Sequence, residues 1–224
     1  MKKQQTGFTL VEIAIVLVII GLLLGGVLKG QELINNAKVK NLANDFRSIS
    51  TFVYAYQDRF RALPGDDLAA NTHVNGGTVA TTPNNAGQVR GNARIDGAWN
   101  SATNTDESFL FWQHVRLANL ATGPTNIGVA DFLPRNSEGG RLGVTSDALL
   151  TAAAPVGGAY AASFYVCSGG IQGRFARQLD ITLDDGNPQT GALRVIADGA
   201  VNVADATPIV AANDGQLFTV CIAY

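Results

Sequence analysis

One carboxylate, Glu12, stands inside an apolar run of 21 residues (8–28), and its placement is the chemical anomaly of this sequence. A charged group at the centre of a bilayer costs about 3 kcal/mol, so an ionisable residue there is read by default as functional, with a partner to be found. Other reactive residue types do not assemble into a site. The two histidines, His73 and His114, sit in no metal or nucleophile motif, and His114 reads as a surface residue of a short helix. Ser168 precedes Gly169-Gly170 but lacks the G-x-S-x-G elbow. The glycine pairs at 76–77, 139–140, 157–158 and 169–170 lack the lysine or the spacing that cradles phosphate. Cys167 and Cys221 fall outside any CxxC spacing, which disfavours zinc. Asp180, Asp184 and Asp185, and separately Asp66 and Asp67, offer oxygen ligands of the kind calcium takes. The same residues also build Asp-Gly and Asn-Pro turns without a metal. The expectation is therefore a protein that is not an enzyme, with no catalytic residue, cofactor or assigned metal.

The elements that must hold Glu12 follow from composition. The chain has 224 residues, enough for one moderate domain plus an anchor or for two small domains, and only 15% of them are charged. All five lysines lie in the first 40 residues, whereas residues 66–224 carry 14 acidic side chains against eight arginines, about −6. An acidic domain repels phosphate backbones, so no nucleic-acid partner is expected. Residues 8–28 would span about 31 Å as a helix, the thickness of a hydrocarbon core. Fifteen of them are Phe, Leu, Ile or Val. At roughly 0.3–0.6 kcal/mol each these offset one carboxylate. Lys2 and Lys3 place the N-terminus in the cytoplasm. A secretory signal peptide, a plain anchor and a specialised segment all begin this way. A signal peptide, however, has a shorter apolar region and ends in a small-x-small site, which 28–31 (LKGQ) does not supply.

Gly7-Phe8-Thr9-Leu10-Val11-Glu12, after a short basic leader and at the head of a long apolar helix, resembles the processing motif of type IV prepilins. That family includes type IV pilins and the pseudopilins of type II secretion systems. The resemblance implies cleavage between Gly7 and Phe8 by a prepilin peptidase and N-methylation of Phe8, with Glu12 as the fifth mature residue. It also implies assembly with other pilin-like subunits on an inner-membrane platform, the helix standing in the lipid bilayer and the head on the extracytoplasmic side. Physical logic runs in the same direction. Glycine before the cut lets a peptidase approach the backbone closely, and a freshly exposed amine is a cation for Glu12. A straight helix separates residues 8 and 12 of one chain, so the amine belongs to a neighbouring subunit. The competing reading is a Glu12 that snorkels to the interface. Where many family members have a helix-breaking proline, this chain has none before Pro64; Gly21, Gly25, Gly26 and Gly30 occupy the region instead.

Beyond the span, Val39, Leu42, Phe46, Ile49, Val53, Tyr56 and Phe60 step alternately by three and four, one stripe of an amphipathic helix. The stripe covers either the chain's own domain or a coiled-coil seam, and the domain that follows directly favours the first. Residues 71–105 read as an extended surface loop. Asn104 with Glu107 caps a short helix reaching about Leu120, and strands are expected at 141–144, 161–167, 179–183, 192–197 and 216–224. The expected fold class is α+β and pilin-like: a long N-terminal helix packed on an antiparallel sheet with one extra short helix. Its divisions are a leader (1–7), a transmembrane assembly helix (8–28), an amphipathic continuation (29–63) and a β-rich head (64–224).

With the head on the oxidising side of the membrane, Cys167 and Cys221 are expected to form a disulfide, like the C-terminal bridge of many pilins. The alternative is two reduced cysteines acting as small core residues. Two functions fit: a structural subunit, minor or accessory, of a pilus or secretion pseudopilus, or a pilin-like binding module at a filament tip. A third is a secreted or anchored protein whose N-terminus only looks like a prepilin's.

Overall fold

The computed structural model describes residues 9–82, 89–151 and 158–224. With no proline to interrupt it, a single helix, α1 (Leu10–Phe60), fills the chain from the apolar run onward. The molecule divides into two compact units, Met1–Lys38 and Val39–Tyr224. In the first, the apolar side chains of α1 are exposed: an 18-residue window of mean hydropathy 2.8 has none of its residues buried, the composition and length of a membrane span. In the second, the alternating stripe finds its cover. Val39, Leu42, Ala43, Phe46, Ile49, Val53 and Tyr56 are buried. Each large side chain contributes roughly 1.5–3 kcal/mol relative to exposure. The stripe therefore packs on the chain's own head rather than forming a coiled-coil seam. Past Phe60 the helix stops at Arg61, which takes a left-handed conformation (φ 56°). Its N–H reaches the Gln57 carbonyl at 2.9 Å before Pro64 forbids continuation.

Strands β1 (Leu142–Thr145), β2 (Tyr165–Gln172), β3 (Leu193–Ala197) and β4 (Leu217–Ala223) form one antiparallel sheet in the order β1-β2-β4-β3. Alternation along each strand gives the sheet two apolar faces. Val144, Val166, Leu193, Val195, Val220 and Ile222 join the α1 stripe in the main core. Tyr165, Cys167, Ile196 and Cys221 point the other way, against Trp99, Leu149, Leu150 and Tyr160. Trp99 is fixed there by its indole N–H, which donates to the Ala200 carbonyl at 2.9 Å. The stretch read as an extended surface loop thus packs in part: it contains helix α2 (Ala70–His73) and buries Val74, Ala80, Ile95 and Trp99. In β2 the register shifts between Ser168 and Ile171, a bulge built on Gly169 and Gly170. Gly170 has φ 67°, and Gly140 lies so close that a Cβ there would meet the Gly169 carbonyl. The Ser168-Gly-Gly run is therefore strand architecture.

Helix α3 (Glu107–Leu117) starts from Asp106, not Asn104. Asp106 makes no side-chain cap because its carboxylate accepts from the Thr82 and Ser101 hydroxyls at 2.5 and 2.6 Å. Every residue from Glu107 to Arg116 is buried, so α3 is enclosed all round. The strand expected at 179–183 is instead the end of a helix, α4 (Gly173–Leu183). Alternating Leu179, Ile181 and Leu183 mimic a strand, but Phe175, Ala176 and Leu179 form a helical face and Ile181 is 70% exposed.

Candidate functional site

Gly7 and Phe8, the expected processing and methylation residues, lie outside the described residues. The described residues begin at Thr9, which forms a reciprocal cap with Glu12. The Thr9 N–H and hydroxyl both donate to Glu12 Oε2, at 2.9 and 2.8 Å, and the Glu12 N–H donates to Thr9 Oγ1 at 3.3 Å. This is a capping box at the start of α1, with Glu12 at its third position. The carboxylate that the sequence left uncompensated is thus locally bonded within its own chain, a pairing that Thr-x-x-Glu spacing could have disclosed.

Cys167 and Cys221 are directly opposite in the β2–β4 register and are bridged, with Cα atoms 4.1 Å apart. The bond lies at the centre of the sheet's second face, and both residues are buried. Strand alternation delivers the two sulfurs to one face, and antiparallel pairing supplies the short Cα separation.

The histidines are structural. His114 is fully buried, a correction to its reading as a surface residue: loops wrap the side of α3 that an amphipathic helix would show to solvent. Its Nδ1 accepts from the Gly65 N–H at 2.9 Å, so Nε2 carries the proton and donates to the Thr78 carbonyl at 2.8 Å. Burial lowers its pKa, against the opposing pull of the Thr78 carbonyl and Asp67. Asp67 accepts from the Tyr56 hydroxyl at 2.7 Å and the Ala69 N–H at 2.9 Å, and pairs with His73 Nδ1 at 2.7 Å. Asp66 accepts from the backbone N–H groups of Gly91 and Ala93. These two carboxylates, the other candidate calcium pair, fasten residues 66–73 to α1 through Tyr56 and to residues 91–93.

Beside them Glu107, 1% exposed, accepts from the Asp96 N–H at 2.8 Å. Burial first, and then the charges of Asp66 and Asp96, push its pKa up to about 8. A carboxyl whose folded pKa exceeds its ordinary 4.5 keeps a proton that the unfolded chain releases. Its contribution is therefore full below about pH 4.5 and is lost as pH rises through 8. Asp45, raised to about 6 by burial, acts in the same direction. Unfolding in EDTA is expected to become easier by roughly 2 kcal/mol between about pH 6 and pH 8, with Glu107→Gln flattening that slope. A slope unchanged in the variant would refute the assignment.

At the end of α4, Asp180, Asp184 and Asp185 bring one carboxylate oxygen each to within 4.8 Å of one another. Burial, followed by the charges of Asp185 and Asp184, pushes the Asp180 pKa up to about 7. The Gly186 N–H, short of hydrogen-bond geometry, pulls the other way.

A long, partly lipid-suited N-terminal helix followed by a four-stranded antiparallel sheet with short extra helices is a pilin-like α+β architecture. Residues 2–28 match the family model described as a prokaryotic N-terminal methylation motif, the signature of type IV pilins and pseudopilins. That signature, with the apolar helix, fits inner-membrane anchoring, processing by prepilin peptidase and assembly with other pilins in a membrane-associated filament. It points to a structural subunit rather than an enzyme. No curated protein and no solved structure matches the chain.

Proposed function

We propose that this chain is a minor or accessory subunit of a type IV pilus or a type II secretion pseudopilus. In this reading the peptidase cuts between Gly7 and Phe8, Phe8 is methylated, and the subunit polymerises through α1. An inner-membrane assembly platform extracts it from the bilayer, with the leader cytoplasmic and the head outside. The observation that carries the reading is the methylation motif at residues 2–28, set on an apolar helix whose side chains are unburied. Glu12, present in the motif, supports a place within the filament body, because its carboxylate can meet the Phe8 amine of a neighbouring subunit. The size of the head, which adds packed loops over the second sheet face, supports an accessory role.

N-terminal mass analysis of the protein recovered from membranes and sheared filaments tests this directly. The expected result is a chain beginning at Phe8 with one added methyl group. A mature chain beginning near Gln31 would identify an ordinary signal peptide and end the filament reading.

A further inference from the structure

Asp180 is fully buried, yet neither of its carboxylate oxygens has a hydrogen-bond partner. A buried carboxylate without donors is costly, because it has given up its water and received nothing in return. Local turn chemistry explains its neighbours but not Asp180 itself. Asp184 Oδ2 accepts from the Leu193 N–H at 2.7 Å. Asp185 accepts from the Asn187 N–H at 2.9 Å and from the Thr190 hydroxyl at 2.5 Å. Each of these carboxylates retains further lone pairs.

We infer that Asp180, Asp184 and Asp185 bind a calcium-sized divalent cation, which ties the end of α4 to the loop entering β3. The oxygens, all within 4.8 Å of one another, suit such an ion. Oxygens on one calcium ion at about 2.3–2.6 Å lie no more than roughly 5.2 Å apart, and calcium accepts carboxylates in flexible geometry where magnesium keeps its waters. Three carboxylates are hard oxygen donors with no thiolate or imidazole among them, which disfavours zinc and copper. The site is also held in shape. The bonds from Leu193, Asn187 and Thr190 orient Asp184 and Asp185 without involving Asp180. Gly191, at φ 70°, leaves room that a Cβ would take from the Asp184 carboxylate. The Arg194 guanidinium, whose charge pulls on Asp185, donates to the carbonyls of Gly191 and Gly158.

The test is thermal unfolding of the full chain in detergent, after EDTA treatment, with calcium chloride added at constant ionic strength. For a site of this charge, with Kd about 0.1–1 mM, calcium at about 10 mM is expected to raise Tm by roughly 3–10 °C. Asp180→Asn is expected to abolish the rise. Asp185→Asn, at an exposed position that does not endanger folding, is expected to abolish it too and decides the matter should the first variant fail to fold. No rise in the wild-type chain would mean that the cluster binds no calcium, and a rise that survives in Asp185→Asn would place calcium elsewhere; either overturns the inference. An equal response to magnesium would overturn the assignment to calcium.

Discussion

Removing the Cys167–Cys221 bridge is expected to lower the unfolding free energy by about 4 kcal/mol. The bond joins residues 54 apart in sequence. The loop it closes contains α4, β3 and the approach to β4, so in the unfolded chain it restricts a quarter of the molecule. The chain-entropy relation for a loop of that size gives the figure quoted. Native-state geometry commonly makes the measured loss smaller than the chain-entropy figure, which is therefore its upper end. Against a typical total of about 5–15 kcal/mol, this loss leaves a domain near its stability limit at growth temperature. Urea unfolding of the full chain in detergent, with and without dithiothreitol, measures it. The wild-type midpoint is expected to fall on reduction, and the C167A/C221A midpoint is expected to be low and indifferent to reductant. A wild-type midpoint unmoved by reduction would contradict the assignment, and so would two free thiols on labelling the unfolded, unreduced chain.

The parts of this fold that were legible in the sequence are those governed by local patterns. The α1 stripe reads directly, because a three-four step over 21 residues has one physical meaning. So do β1, β3 and β4, each of whose runs begins two residues after a glycine, Gly140, Gly191 and Gly215. The failures share another cause. At 179–183 two periods coincide, and only the packing of Phe175, Ala176 and Leu179 against the sheet decides between helix and strand. His114 reads as a surface residue and Glu107 as a helix cap because nothing local announces that residues 71–82 and 89–105 help to enclose α3. Their partners, Gly65, Thr78 and Asp96, are 49, 36 and 11 residues away. The Asp180 cluster was visible as composition, but its meaning rests on burial, which no spacing reveals. The N-terminal site was the reverse case. Its motif is contiguous and fully readable, and the Thr-x-x-Glu spacing carries both a capping box and a membrane carboxylate in the same residues.

That contact sharpens the remaining prediction. Glu12→Ala is expected to leave membrane insertion and cleavage intact while reducing incorporation into filaments by roughly a hundredfold. The figure is the factor that about 3 kcal/mol of compensation for a membrane carboxylate would supply. In the isolated chain Glu12 already accepts two hydrogen bonds from Thr9. A neighbour's amine must therefore compete with a cap worth about 0.5–2 kcal/mol. An ion pair in hydrocarbon can win that competition; a neutral hydrogen bond cannot. The observed cap and the proposed charge pair would thus share one side chain, and Ala removes both. Glu12→Gln separates them, since the amide oxygen can still accept from Thr9 while the charge is gone. Thr9→Val does the opposite, losing the hydroxyl but keeping the carboxylate. If intersubunit charge pairing drives assembly, Gln is as defective as Ala and Thr9→Val incorporates normally. Shearing and quantifying filaments, with membrane fractions as the control for insertion, reads all three variants together. Normal incorporation of Gln would show that Glu12 serves as a helix cap, and the charge pair would have to be abandoned.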